Sequence, residues 1–192
     1  MFLFSRPSPS EIDSFISIQR EKEFSYAEVG ATRGSIPPDY VVDHNRERLG
    51  HGGNVFARGC QALTEWQMFK LGWVELFRAD SKIEVGTTVA ILVRHFGFWS
   101  LNASRIVYVI KETRLFGFAY GTLTVHAEQG EERFSIEWSP DDDSVIYDIL
   151  AFSRPRQARM AQPVSRMLQK QFARDSKNAM RHAVSPVDNC HL

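Results

Sequence analysis

Three ionisable residues near the middle of the chain are spaced so that they could transfer a proton. His126 is followed by Glu128, and Glu131 comes three residues later. Side chains two residues apart share one face of a strand, so Glu128 could orient His126 as a general base. A histidine at a strand end beside a glycine, here Gly130, is also a common turn or surface residue. Both interpretations stay open: an acid–base site of His126 with Glu128 or Glu131, or a structural histidine.

The residues that a metal site, a phosphate-binding loop or a catalytic triad requires are missing from this sequence or are wrongly spaced. The histidines at 44, 51, 95 and 126 lie in separate predicted elements without metal-ligand spacing, so we predict no metal site. Residues 50–54 precede a helix and could cradle a phosphate, but the lysine and hydroxyl of a P-loop are missing. There is no Gly-x-Ser-x-Gly motif, and Cys60 has no evident base. We predict neither a catalytic triad nor a cofactor.

Composition and charge limit the partners. The chain has 192 residues, and its 23 basic residues equal its 23 acidic ones, so no overall field attracts nucleic acid. We predict no nucleic-acid partner. The 14 phenylalanines indicate a large core or a cavity with aromatic walls.

The cysteines and the apolar runs bear on the compartment. Cys60 and Cys190 are far apart, which favours free thiols, Cys60 buried and Cys190 exposed. No apolar run approaches the roughly 18 residues of a transmembrane segment, and the start lacks the features of a signal peptide. We therefore expect a cytoplasmic protein.

Three helices are predicted from their ends and their apolar spacing. Ser8 and Glu11 form a capping-box pattern that begins a helix ending near Glu23. A second helix is expected after an Asn54 cap. A third is expected to begin at Pro163 and to continue to Val184. Its outer face carries a basic row, which is either solvated or a partner-binding surface: Arg166, Lys170, Arg174, Lys177 and Arg181.

From Gly72 onward the apolar period changes to two, which predicts consecutive antiparallel strands. The predicted strands are residues 73–77, 87–96, 105–112, 116–126, 131–138 and 145–153, and residues 40–49 could add another. Segments 105–112 and 116–125 are apolar on both faces, so we expect them in the middle of the sheet. Tight turns are predicted at 129–130 and 139–143.

Six motifs resemble those of an uncharacterised family of bacteria and plants known as domain of unknown function 1990. They are FSYAEVGAT at 24–32, DHNR at 43–46, RIVYV at 105–109, GFAYGTL at 117–123, GEERF at 130–134 and AFSRP at 151–155. The resemblance covers residues 2–184 and implies little about activity, because no function is established for the family.

The order of elements also resembles the helix-grip fold of the START and Bet v 1-like superfamily. That resemblance implies an α+β fold, in which a twisted antiparallel sheet grips a long C-terminal helix around an apolar cavity. We expect one domain over residues 1–184 and a flexible tail over 185–192. The expected partner is an apolar or amphiphilic small molecule; the alternatives are a cyclase- or hydrolase-like enzyme and a protein partner. The oligomeric state stays open.

The resemblance also gives candidate ligand-binding residues on the strands expected to border the cavity. They are Arg94, Tyr108, Phe116, Phe118, Tyr120 and His126. Alternation in the predicted strand 116–126 places Phe116, Phe118 and Tyr120 on one face and the small residues Gly117, Ala119 and Gly121 on the other. We expect the aromatic row to face the cavity and the small row to face an early element or a partner.

Overall fold

The helices and strands follow the periodicity of the chain. The structure is a computed structural model and describes residues 2–78, 80–126, 128–155 and 162–185. Its α-helices are α1 (Pro9–Gln19), α2 (Gly53–Thr64) and α3 (Gln162–Val184). Its strands are β1 (Phe2–Leu3), β2 (Val41–His51), β3 (Val74–Phe77), β4 (Thr88–His95), β5 (Phe98–Lys111), β6 (Leu115–Thr122), β7 (Glu128–Trp138) and β8 (Ser144–Pro155).

All eight strands belong to one antiparallel sheet. The order is β2-β8-β7-β6-β5-β4-β3, and β1 pairs with the beginning of β5. The strands that are apolar on both faces, β5 and β6, lie inside the sheet as expected. The predicted fold class is confirmed: a curled antiparallel sheet with a long C-terminal helix.

One face of the sheet packs against α2, α3 and the short 3₁₀ turn Gln67–Phe69. The buried rings of Trp66 and Phe118 lie 4.9 Å apart between their centroids, and those of Phe69 and Phe134 lie 5.8 Å apart. A buried hydrogen bond of 2.8 Å joins the hydroxyls of Tyr147 on β8 and Ser176 on α3. We call this the inner face.

The other face, which we call the outer face, is covered by α1 and by residues 24–40. Ile12 and Ile16 of α1 pack on Leu92 and Leu101 of the sheet. Ser8 caps α1, since its hydroxyl accepts from the Glu11 amide while the Glu11 carboxylate accepts from the Ser8 amide. The predicted capping box is therefore confirmed, although the helix ends at Gln19 rather than near Glu23.

Several predicted details are wrong. Strand β5 begins at Phe98, seven residues before the predicted start, because polar Ser100 and Asn102 obscured the alternation. Residues 129–130 are not a turn but the beginning of β7. Asn54 lies inside α2, and the N-cap is Gly52, which offers no capping side chain.

Cys60 is a free thiol, but it is half-buried rather than buried, and this burial raises its pKa to about 11. The expectations for Cys190 and for the tail after Ser185 lie outside the described residues. Among the helices of the described part, none is long and apolar enough to cross a bilayer.

Candidate functional site

A cavity of about 1420 Å³ lies between the inner face of the sheet and the N-terminal half of α3. Most of its wall is apolar, with side chains from strands, from α3 and from the segment before β3: Phe69, Trp73, Val74, Ile91, Val93, Ile149, Ala151, Leu168, Phe172 and Ala173. The space stays unfilled because Ala151 and Ala173, which border it together with bulkier aromatic side chains, are too small to fill it.

The cavity occupies one end of the inner face because α2 fills the other end. Side chains of α2 and of residues 66–69 pack on the first half of β6 and on Phe134 and Ile136 of β7. Beyond Tyr120, the inner face borders the cavity, whose opposite wall includes Leu168, Phe172 and Ala173 of α3. The open end lies near the β4–β5 connection, where Phe96 and Phe98 border the cavity and are exposed. Residues 124–126 of the β6–β7 connection also border the cavity.

A tyrosine and a glutamate on neighbouring strands form the main polar pair in the wall. Tyr120 of β6 and Glu132 of β7 are directly opposite in the strand register. The Tyr120 hydroxyl donates a hydrogen bond of 2.7 Å to Oε2 of Glu132. The Tyr120 ring is fixed between Phe69 and Phe134, so the position of this donor is set by the packed core.

Burial raises the pKa of Glu132 to about 7, with a further contribution from nearby Asp43, whereas the Tyr120 hydrogen bond opposes the rise. The surface that Glu132 keeps faces the cavity. At neutral pH this group therefore populates both its acid and its carboxylate forms. It can accept a hydrogen bond from a bound molecule or exchange a proton with it.

His126 borders the same cavity at the β6–β7 connection. Its Nδ1 accepts a 3.1 Å hydrogen bond from the backbone amide of Glu128. Burial lowers the pKa of His126 to about 4, so the ring is neutral at neutral pH. Because Nδ1 accepts, the ring proton is on Nε2, and His126 acts as a hydrogen-bond donor.

An unpaired acceptor also lies in the wall. Asn102 of β5 is buried, and its Nδ2 donates to the Ser100 hydroxyl at 3.3 Å. Its Oδ1 has no hydrogen-bond partner among the described atoms. An unpaired buried acceptor costs about 1–3 kcal/mol, so a donor from a bound molecule or a water would be stabilised there.

A chain of polar contacts closes the side of the cavity between α3 and the β2 edge. Arg166 forms a two-pronged ion pair with Asp43, with a 3.0 Å distance between Nη2 and Oδ1. The same guanidinium donates to Oε1 of Gln169 at 3.0 Å, and Gln169 donates to the Ser153 hydroxyl at 3.1 Å. These contacts hold the N-terminal half of α3 at a fixed distance from the sheet.

The relatives of this sequence settle its family. The family described as "Domain of unknown function (DUF1990)" matches residues 25–179. The chain belongs to this family. It is 37% identical to a "UPF0548 protein" of Dictyostelium discoideum over 98% of both chains, and 36% identical to one of Deinococcus radiodurans over 91% of this chain and 94% of that one. A relative from Arabidopsis thaliana is 31% identical over 73% of this chain and 72% of its own length.

Solved structures with a similar fold include Ara h 8.0201 and the ginseng major latex-like protein 151 of Panax ginseng. Ara h 8.0201 has a TM-score of 0.52 at 11% identity and covers 76% of this chain and 97% of its own. The ginseng protein has a TM-score of 0.51 at 12% identity and covers 77% of this chain and 99% of its own. These similarities show that the DUF1990 chain has the Bet v 1-like fold.

Two of the predicted ligand-binding residues lie on the wrong side of the DUF1990 sheet. Arg94 is exposed and alternates with Val93 and His95, both of which border the cavity, so its own side chain lies on the outer face. Tyr108 is also on the outer face, where its hydroxyl bonds Thr32 at 2.6 Å. An irregularity in the register between Ile106 and Tyr108 reverses the alternation there, which the sequence did not reveal.

The aromatic row of β6 lies on the inner face, as predicted, but only part of it reaches the cavity. Tyr120 borders the cavity. Phe118 is completely buried and Phe116 half-buried in the core beneath α2, so neither is in the wall. The small row lies on the outer face, where Gly121 contacts the Tyr26 hydroxyl of the covering segment.

Among the described residues, no carboxylate is hydrogen-bonded to the His126 ring, so the alternative acid–base arrangement of His126 with Glu128 or Glu131 is not formed. Glu128 meets the ring through its backbone amide. Although Glu131 is among the residues that border the cavity, its carboxylate accepts hydrogen bonds from the Tyr26 hydroxyl at 2.7 Å, the Gly30 amide at 2.7 Å and the Thr32 amide and hydroxyl. Glu131 thus anchors the covering segment, and its carboxylate has no acceptor capacity to spare for a base role.

Sequence reasoning missed Glu132, Asn102 and Asp43. Glu132 did carry a signal, since it occupies a position of the apolar row that continues with Phe134, Ile136 and Trp138. Asn102 lies in the part of β5 that was not predicted as strand, so its face could not be assigned. Asp43 is the first residue of the DHNR motif, and its contact with Arg166 joins segments 123 residues apart.

Proposed function

We propose that this protein binds one apolar or amphiphilic small molecule in the cavity between the sheet and α3. The observation that carries the proposal is the cavity itself: about 1420 Å³ of space with apolar walls and a few polar groups. Sites for small molecules typically combine a concave apolar wall with a few orienting polar groups. The Bet v 1-like fold is consistent with this proposal but assigns no ligand.

The polar groups favour a ligand with at least one hydrogen-bond donor. Asn102 Oδ1 and the Glu132 carboxyl are acceptors, and the first has no partner in the described part of the chain. A hydroxyl or amine on an otherwise apolar molecule would pair with one of them. His126, with its proton on Nε2, supplies a donor for a carbonyl or ether oxygen. Tyr120 and His126 are the two predicted ligand-binding residues that we retain.

An enzyme is the second candidate, because Glu132 has a pKa of about 7. A group that titrates near the working pH can both give and take a proton. Glu132, aided by Tyr120, is therefore a better proton carrier than His126, whose pKa is about 4. Binding alone and catalysis differ in the fate of the ligand: an enzyme would convert it, and Glu132→Gln would stop the conversion.

The third alternative, a partner-binding surface on the basic row of α3, has less support. Arg166 is paired with Asp43, Arg181 approaches Glu47 to 3.3 Å, and Arg174 contacts Asp175 at 2.9 Å. Two of these pairs join α3 to β2 and so contribute to the docking of the helix.

The proposal is tested by native mass spectrometry of the protein purified from its own host. Wild type should carry one small molecule per chain, and Ala151→Trp, which fills the cavity beside Glu132, should carry none. Tyr120→Phe should retain the ligand more weakly while keeping its fold, because the ring stays and only the hydroxyl is lost. An adduct that is equally abundant in wild type and Ala151→Trp would contradict binding in the cavity. The extracted ligand, incubated with fresh protein, should keep its mass if the function is binding alone.

A further inference from the structure

The open end of the cavity is surrounded by exposed aromatic side chains. Phe4 is 89% exposed, Phe96 67% and Phe98 43%. All three border the cavity, and the rings of Phe4 and Phe98 are in contact, with centroids 5.5 Å apart. We call Phe4, Phe96 and Phe98 the apolar rim.

Two members of this rim, Phe4 and Phe96, lie mostly outside the packed core. Phe96 lies in the β4–β5 turn and has most of its surface in contact with solvent. Exposed large apolar residues are common singly, but several that converge at one opening indicate a surface that is covered when the protein works. The rim is also continuous with the apolar wall of the cavity, so whatever covers it also meets the cavity opening.

Two cations lie beside the rim. Arg94 is two residues from Phe96 on the outer face of β4, and Lys170 is on α3 at the border of the cavity. Both are exposed, and neither forms an ion pair with any residue that the structure describes. The carboxylates at this end are engaged: Asp43 pairs with Arg166, and Glu128 interacts electrostatically with the same arginine. The end of the molecule that carries the opening therefore presents apolar rings, Lys170 at the border of the cavity and Arg94 on the outer face of the same strand end.

Aromatic side chains and basic residues together are the combination that favours the surface of an anionic bilayer, where rings enter the headgroup region and cations meet lipid phosphates. We propose that the apolar rim docks the open end of the cavity onto membranes that contain anionic lipid. An apolar molecule could then pass between bilayer and cavity without crossing water. This inference goes beyond the proposed function, because docking requires the rim and its cations but no particular ligand.

The experiment is flotation of the purified protein with vesicles of phosphatidylcholine, with or without phosphatidylserine. Wild type should bind the vesicles that contain phosphatidylserine, and added salt should weaken this binding. Replacement of both Phe96 and Phe98 by serine should lower the partition coefficient by about tenfold or more. Val85→Ser is the matched control, since Val85 is 68% exposed but lies before β4, at the other end of that strand. It should bind as wild type does.

The position of the rim at the bilayer can be read directly. The indole fluorescence added by Phe96→Trp should be quenched by brominated phosphatidylcholine in mixed vesicles, whereas that added by Val85→Trp should not. Arg94→Gln combined with Lys170→Gln should weaken binding to the phosphatidylserine vesicles and remove most of the salt dependence.

Three results would overturn the docking proposal. The first is no flotation of wild type with either vesicle type. The second is flotation that the Phe96 and Phe98 substitutions leave unchanged. The third is a dimer, seen by light scattering, that the same substitutions dissociate while vesicles have no effect, because a second copy would then cover the rim. Binding of a soluble apolar dye by the same variants, measured without vesicles, separates a failed membrane surface from a failed cavity.

Discussion

Glu132 shows how one side chain can change the character of an apolar wall. It lies on the inner face of β7, in line with Phe134 and Ile136, and its hydrogen-bond partner is a tyrosine whose ring belongs to the core. A carboxyl group in such a place is more easily protonated than in water, so its pKa rises from an ordinary 4.5 to about 7. The folded protein therefore binds this proton more tightly than the unfolded chain does.

This difference makes stability depend on pH. Below the unfolded pKa of 4.5 both states are protonated, so Glu132 costs nothing through ionisation. Between about pH 4.5 and about pH 7 the unfolded chain ionises while the folded protein keeps the proton, so stability falls as the pH rises across this interval and levels off above it. We expect Glu132→Gln to gain roughly 1–3 kcal/mol over wild type at about pH 8 relative to about pH 5.

Urea unfolding at the two pH values measures this gain, with Glu137→Gln as the control on the same strand. Glu137 points to the outer face and pairs with Arg46 at 2.7 Å. A difference between the two pH values that is the same in wild type and in Glu132→Gln would show that Glu132 is not the titrating group.

At the scale of residues, the sequence predicts a side chain's position well when residues close to it in the chain determine that position. The Ser8 capping box depends on residues three apart, and the two faces of β6 follow from strict alternation. It predicts poorly where alternation is interrupted: the irregularity at Ile106–Tyr108 turned Tyr108 to the outer face. Glu131 was a candidate base for a different reason: its hydrogen-bond partners lie about 100 residues away in the chain, so its structural role could not be predicted from its neighbours.

At the scale of elements, the segment 24–40 packs closely on the outer face of the sheet because Gly121 of β6 has no side chain. A Cβ atom on Gly121 would lie 2.1 Å from the Tyr26 hydroxyl oxygen. Tyr26 in turn donates to the buried Glu131 carboxylate, and its ring packs on Phe152. The glycine is thus required for close approach of the covering segment, which explains why position 121 has no side chain.

We expect Gly121→Ala to destabilise the fold by about 2–4 kcal/mol, because the buried Tyr26 ring cannot move away from the added methyl group. In a Tyr26→Ala background the same substitution should cost under about 1 kcal/mol, since the obstructing ring is gone. Gly34→Ala is the control, as a Cβ at Gly34 meets nothing within 4 Å. Urea denaturation of the four proteins of this cycle gives the coupling, and an equal cost of Gly121→Ala in both backgrounds would contradict the packing account.

At the scale of the whole molecule, periodicity predicts the sheet and the gripping helix, because both arise from patterns repeated over many residues. The place of the cavity could not be predicted in this way. It depends on how far α2 and residues 66–69 cover the inner face, and therefore on packing between segments that are distant in sequence. For this reason Phe116 and Phe118, predicted to be wall residues, are core, while Phe69, Trp73 and Phe172 provide the wall.

The central claim is that this cavity holds an apolar molecule, and titration with the neutral dye N-phenyl-1-naphthylamine tests it most directly. Wild type should show one saturable site, and Ala151→Trp should bind at least about tenfold more weakly while keeping its thermal midpoint, because the indole occupies the space beside Glu132. Val85→Trp, with its indole on the exposed surface, should match wild type. Absence of saturable binding in wild type, or equal affinity in a folded Ala151→Trp variant, would contradict the account.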